Sequence, residues 1–170
     1  MSDWPHVTGA LKGAGLIDTE FIKPEYMARG TAVHLATQLW DEEDLDLESV
    51  DPVTLPRLEQ WMRFRRDIEP EILAIEESVR NESYRYQGTL DRRLKIHGVE
   101  GILDIKGSDN QARWHGPQLA AYAACFDRPL ARWSLYLSDT AYRLVLRKDL
   151  NDWTVFLAAL TLHNWLEAGR

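Results

Sequence analysis

From Val79 to Lys106 the chain reads as strand, turn and strand, and this stretch limits the possible folds more than any other. Tyr84 and Tyr86 alternate with polar residues, as do Leu90, Leu94 and Ile96; His97-Gly98 with Gly101 supplies a turn, and Ile102, Leu103 and Ile105 follow. Alternation with period two sends successive side chains to opposite faces of a sheet, so one face packs and the other is left for chemistry. Helical spacing flanks this unit. Met27, Val33, His34, Leu35 and Leu39 recur at nearly helical intervals between about Pro24 and Trp40. After Asp51-Pro52, Leu55, Leu58, Trp61, Met62, Ile68, Ile72 and Ile75 mark one long amphipathic helix, or two joined near Pro70. Pro117 to Phe126 reads as a helix and Trp153 to Leu166 as a closing helix. Between them Trp133 to Leu137 and Tyr142 to Leu146 form a hairpin turning at Ser138-Asp139-Thr140. This order predicts an α/β sandwich on a mixed β-sheet flanked by helices.

With 170 residues, 45% of them hydrophobic, the chain can bury one sizeable core, so a single domain over residues 20–170 is expected. Residues 1–19, with Pro5, Gly9, Gly13 and Gly15 and little periodicity, read as an irregular N-terminal arm. The one cysteine, Cys125, excludes an internal disulfide and a cysteine-rich zinc or iron–sulfur site. The start Met-Ser-Asp-Trp-Pro has neither a basic opening nor an apolar run, which predicts a cytoplasmic protein without a membrane partner.

The net charge of -7 is not the broad basic footprint of a protein that holds duplex DNA by charge alone. Local cations are present in two groups, Arg63, Arg65, Arg66 and Arg92, Arg93, Lys95, as phosphate contacts or as ordinary solvated charges. Trp61 and Phe64 beside the first group have the spacing of core residues, the alternative being stacking on unpaired bases. The acidic run from Asp41 to Glu48 is expected to be a solvated connection, because like charges repel in compact packing. His115 is expected to be exposed.

The chemistry-bearing residues lie in Gly88-Thr-Leu-Asp91 and, thirteen residues on, Asp104-Ile105-Lys106. Paired strands lie about 5 Å apart, which brings the two aspartates close enough to share a cation. Asp104 and Lys106 share a face, while Leu103 and Ile105 point into the core. Two carboxylates and a backbone carbonyl suit a hard divalent cation such as Mg²⁺ or Mn²⁺ and leave positions for water and a phosphate oxygen. The bland alternative is a surface salt bridge between Asp104 and Lys106.

Gln118 and Tyr122, four apart on the helix after Pro117, share one helical face. Taken in order, Gly88-Thr-Leu-Asp91, Ile102-Leu-Asp-Ile-Lys-Gly-Ser108 and Pro117-Gln-Leu-Ala-Ala-Tyr122 resemble the RecB-like, phage-type exonuclease branch of the PD-(D/E)XK nuclease superfamily. The resemblance implies a restriction-endonuclease-like sheet and a Mg²⁺- or Mn²⁺-dependent deoxyribonuclease, an exonuclease on linear DNA in phage-type recombination or repair. Carried over by position, Asp91, Asp104, the Ile105 carbonyl and His34 of Arg29-Gly-Thr-Ala-Val-His34 would hold the metal. Lys106 would be catalytic, and Gln118 and Tyr122 would brace the substrate. The family also places a glutamate before the first strand, and Glu77 fits that place better than Glu76. Arg63, Arg65, Arg66 and Arg92 are the candidate DNA contacts.

The chain lacks the iron–sulfur cysteines of some relatives and the Gly-Lys-Ser/Thr loop of an ATPase motor. A motorless enzyme would gain processivity from a homo-oligomeric ring such as a trimer, and a single-strand annealing protein is the partner that the resemblance implies. The alternatives are a single-strand or structure-specific endonuclease and a catalytically silent DNA-binding or assembly module. Digestion polarity is not legible in the sequence.

Overall fold

A computed structural model describes residues 4–18 and 23–169. Its five strands, β1 (Glu71–Asn81), β2 (Tyr86–Ile96), β3 (Val99–Lys106), β4 (Ala131–Leu137) and β5 (Tyr142–Leu146), form one sheet in that order. β1 to β3 are antiparallel, β3 and β4 run parallel, and β4 and β5 form an antiparallel hairpin. A parallel step needs a crossover, and α4 (His115–Ala123) supplies it.

Two helical layers sandwich the sheet. On one face α1 (Val7–Gly13), α4 and α5 (Asn151–Ala168) pack around Tyr86, Leu90 and Ile102. On the other, α2 (Pro24–Asp41) and α3 (Leu55–Ile68) pack Val33, Ala36, Leu58, Trp61 and Phe64 onto Leu94, Leu103, Ile105 and Leu135. The chain is thus a single α/β domain on a five-stranded mixed sheet. Trp61 and Phe64 are fully buried, so they are core residues. No helix among the described residues is long and apolar enough to cross a membrane.

Several expectations are corrected. Within the segment read as an irregular arm, residues 7–13 are helical and bury Val7, Ala10 and Leu11; residues 1–3 and 19 lie outside the described residues. Glycines at 9 and 13 hid the apolar spacing. The helix extended on paper to Ile75 stops at Ile68. Glu69 takes a left-handed conformation (φ 49°) that closes it, and Pro70, which cannot continue a helix, leads into β1. Ile72 and Ile75 are therefore strand residues, and β texture begins at Glu71. Of the supposed turn residues, His97 and Gly98 make a tight reversal with φ of 49° and 81°. Gly101 instead lies in β3, where a Cβ would come within 2.3 Å of the Trp133 ring.

The acidic run is not wholly solvated. Asp41, whose side chain is 1% exposed, accepts from Arg92 Nε at 2.7 Å, pairs with Arg65 and accepts from the Trp61 indole at 3.3 Å. Arg92 itself is fully buried. It also reaches Glu76 and Thr37, both at 3.4 Å, and cannot be a DNA contact. Arg65 is likewise committed to Asp41, whereas Arg63 and Arg66 are exposed and share Asp67.

The alternation of β2 breaks at Asp91. Leu90 packs with the α1/α4/α5 layer, yet Arg92, which has the same parity, reaches into the α2/α3 layer. Across the ladder, Ile75 pairs with Arg92 and Glu77 with Leu90, and Glu76 between them has φ 47°. A left-handed glutamate is costly, of order 1–3 kcal/mol, and is held only where its surroundings fix it.

Candidate functional site

The hairpin β2–β3 brings the two aspartates together beyond its last paired residues, Arg92 and Leu103. Asp91 Oδ2 accepts the Ile105 backbone N–H at 2.6 Å. In an extended strand a residue's N–H and C=O point to the same side, so the Ile105 carbonyl faces the gap that Asp91 borders. Asp91 Oδ1 lies 3.5 Å from His34 Nδ1, which α2 delivers from across the cleft.

Asp104 is almost wholly buried, and Lys106 follows it on the same face. The Lys106 ammonium donates to Asp104 Oδ1 at 3.1 Å and to Gln118 Oε1 at 3.0 Å. It stands 2.8 Å from Oδ2 as an ion pair, but the geometry there is not that of a hydrogen bond, so Oδ2 has no donor. The Asp104–Lys106 pair is thus a buried pair with a spare acceptor, not a surface salt bridge. The Trp114 ring centroid lies 4.6 Å from the ammonium, a cation–π distance.

Helix α4 presents Gln118 and Tyr122 to this point, both buried. Burial, then the charges of Asp104 and Asp91, pushes the Tyr122 phenol far above its ordinary range, so it stays protonated. Gly88 explains itself here. A Cβ at this position would sit 2.7 Å from Tyr122 Cε1, so the glycine that opens Gly-Thr-Leu-Asp makes room for the tyrosine ring.

Glu77 is turned away from the site. It makes a two-point pair with Arg93, at 2.8 and 3.3 Å, beside Glu100. Glu76 takes the inner place, because its left-handed backbone carries it toward Asp91. His34, Glu76 and Asp91 each offer a ligand atom, all within 4.8 Å of one another. Of the two glutamates, regular alternation favours Glu77, but the break in the strand puts Glu76 beside His34 and Asp91. The donor set of one imidazole, two carboxylates and the spare Asp104 oxygen nearby is one that a divalent cation could use.

Electrostatics agree with a site short of positive charge. Burial and then the Asp91 charge raise the Glu76 carboxyl, with Arg92 and His34 opposing. Burial raises Asp104, Lys106 lowers it and Asp91 raises it again. A carboxyl raised in the fold favours the protonated form. Its contribution to stability is present below the ordinary carboxylate range and is lost as pH rises through the raised value. In EDTA, the melting temperature of the wild type is therefore expected to fall relative to Asp104→Asn as pH rises above the ordinary carboxylate range of about 4. Parallel curves from differential scanning calorimetry would contradict this.

His115 is buried rather than exposed, and burial, Lys106 and Arg147 together lower it to about 3. Its Nδ1 lies 2.7 Å from the Tyr136 hydroxyl, which accepts from Arg147. The His115 ring, held neutral, and the Tyr136 hydroxyl share this hydrogen bond. His115 is structural.

No protein-family model matches the chain, and no curated protein matches it.

Proposed function

We propose that the chain is a divalent-metal-dependent deoxyribonuclease of restriction-endonuclease-like fold, acting as an exonuclease on linear DNA. The observation that carries the reading is the meeting of Asp91, Asp104 and Lys106 at one point. His34 and Glu76 stand beside Asp91 there, and Gln118 holds the lysine. The succession of three antiparallel strands, a crossover helix and a parallel strand supports the fold assignment, with the site at the β2–β3 divergence.

His34, Glu76, Asp91, Asp104 and the Ile105 carbonyl are the groups that would hold Mg²⁺ or Mn²⁺. When bound, such a cation supplies Lewis-acid polarisation of the phosphodiester and a lowered pKa for water. Lys106, held between Asp104 and Gln118, would steady the attacking oxygen and the charge that grows on the phosphoryl oxygens. A water gives up one proton to solvent as its oxygen attacks phosphorus, the P–O bond to the leaving sugar breaks, and the leaving oxygen takes up one proton from solvent, so the transfer balances. Gln118 fixes the lysine rotamer, and Tyr122, protonated at every working pH, can donate to a phosphate oxygen. Trp114 restricts the ammonium's access to solvent.

The test is release of acid-soluble nucleotides from end-labelled linear duplex and from closed circular DNA, with Mg²⁺ and with EDTA. Metal-dependent loss of the linear substrate alone supports the exonuclease; cutting of the circle makes it an endonuclease, and no cleavage leaves a silent module. Mn²⁺ at about a hundredfold excess over its Kd would add roughly 2.7 kcal/mol of stability, seen as a raised melting temperature that Asp91→Ala abolishes. Glu76→Gln is expected to lower activity by about 10²-fold, while Glu77→Gln stays within about twofold. Equal effects of the two would place neither at the centre. A ring-forming oligomer and a single-strand annealing partner belong to the same reading, and light scattering tests the first.

A further inference from the structure

Trp114 has a second side. The cleft that contains His34 and Lys106 is bounded by Trp114 and His115, and a separate cleft of about 680 Å³ opens beyond the same indole. The two clefts share a wall made by residues 15–18 and 112–117, and Trp114 is the one residue that lines both. The volume of the second cleft falls in the range of ligand pockets, about 300–1,000 Å³.

Its lining is unlike the rest of this acidic surface. Arg113, Arg147 and Lys148 border it, and among the described residues none of them has a carboxylate partner. Arg147 donates to Ser134 Oγ at 3.2 Å and to Tyr136, lies 5.9 Å over the Tyr136 ring, and is near enough to Asp152 for its charge to act on that carboxyl. Most other cations of the chain are paired: Arg93 with Glu77 and Glu100, Arg132 with Asp152, Arg65 with Asp41. Two carboxylates also reach the cleft, but each is engaged. Asp152 accepts from Arg132 at 3.1 Å, and Asp149 caps the Asn151 amide at 2.9 Å. Leu16, Leu146 and Val155, all exposed, supply apolar surface opposite the cations. Unpaired guanidinium and ammonium groups beside an indole and exposed aliphatic side chains fit a flexible polyanion that carries flat apolar rings.

We propose that this cleft is a second binding site, for a single polynucleotide strand that continues past Trp114 from the catalytic cleft. Phosphates lie against Arg113, Arg147 and Lys148, and a base lies against the Trp114, Leu16 and Val155 surface. The proposal rests on the reading of the substrate as nucleic acid. It accounts for how a chain with net charge -7 retains a strand, since three cations line this cleft and Asp152, one of its two carboxylates, is paired with Arg132.

Fluorescence anisotropy with a labelled single-stranded oligodeoxynucleotide of about twelve nucleotides, in EDTA and again in Ca²⁺, tests it on the full chain. Arg113→Glu/Lys148→Glu is expected to weaken binding at least about tenfold and to flatten the dependence of log K on log salt by about one to two. Arg113→Gln/Lys148→Gln should give a smaller loss of the same kind. Arg80→Glu/Arg85→Glu makes the same charge change at exposed positions that line neither cleft, and should leave affinity within about twofold. Equal losses in the two glutamate pairs, or none in the first, overturn the proposal. If the wild type hydrolyses linear DNA while Arg113→Glu/Lys148→Glu binds as tightly as it does, the second site falls and the nuclease stands. Binding that the pair abolishes, without hydrolysis by the wild type, upholds the site and rejects the nuclease; neither binding nor hydrolysis rejects both.

Discussion

Lys106→Ala is expected to lower hydrolysis of linear DNA by about 10³-fold, the scale of losing one preorganised donor at a centre of developing negative charge. The loss should fall on kcat rather than KM, because the ammonium faces Asp104 and Gln118 and its partner in the reaction is charge that appears only in the transition state. Lys106→Arg should recover little. A planar guanidinium is broader than an ammonium, and the space between Asp104, Gln118 and the Trp114 ring is shaped to a compact head. Single-turnover kinetics at saturating Mg²⁺ measure this. A variant within about tenfold of the wild type would remove Lys106 from the chemistry and leave it as the counter-charge of Asp104.

Arg92→Met should have the largest effect on folding. The substitution leaves the Asp41 carboxylate buried with the Arg65 and Trp61 donors and without its best-directed partner. Breaking one side of a buried pair costs about 3–5 kcal/mol, which for a domain of this size lowers the melting temperature by on the order of 10 °C. Asp41→Leu in the same chain should restore much of it, because a buried pair replaced whole by apolar groups is often neutral. Activity should not return with stability. Glu76 loses the Arg92 contact in both variants and with it one restraint on its left-handed backbone. If the double variant recovers full activity as well, Arg92 serves the fold alone.

Much of this arrangement was legible in the sequence where local rules govern. The His97-Gly98 reversal, the alternation through Leu94 and Ile96 and the spacing of Gln118 and Tyr122 are short-range properties, and each leads to the observed element. What was not legible depends on partners distant in the chain. Asp41 belongs to an acidic run and is buried because Arg92, fifty-one residues on, needs it. Arg92 looks like a DNA-contacting cation for the same reason in reverse. His115 sits among polar neighbours and is buried by Tyr136 and the packing of α4. The choice between Glu76 and Glu77 turned on one backbone angle that side-chain spacing does not encode.

That angle ties two halves of the molecule together. Because β2 changes sides at Asp91, adjacent residues both depend on α2: Asp91 faces His34 and the Ile105 amide, while Arg92 reaches Asp41 and Thr37. His34 and Asp41 both ride on α2, so lifting that helix would withdraw an imidazole from the cleft and a counter-ion from Arg92 in one movement. Assembly of the His34, Glu76 and Asp91 cluster and the seating of α2 are then a single equilibrium, and hydrogen exchange along α2 should slow in step with occupancy of the cluster.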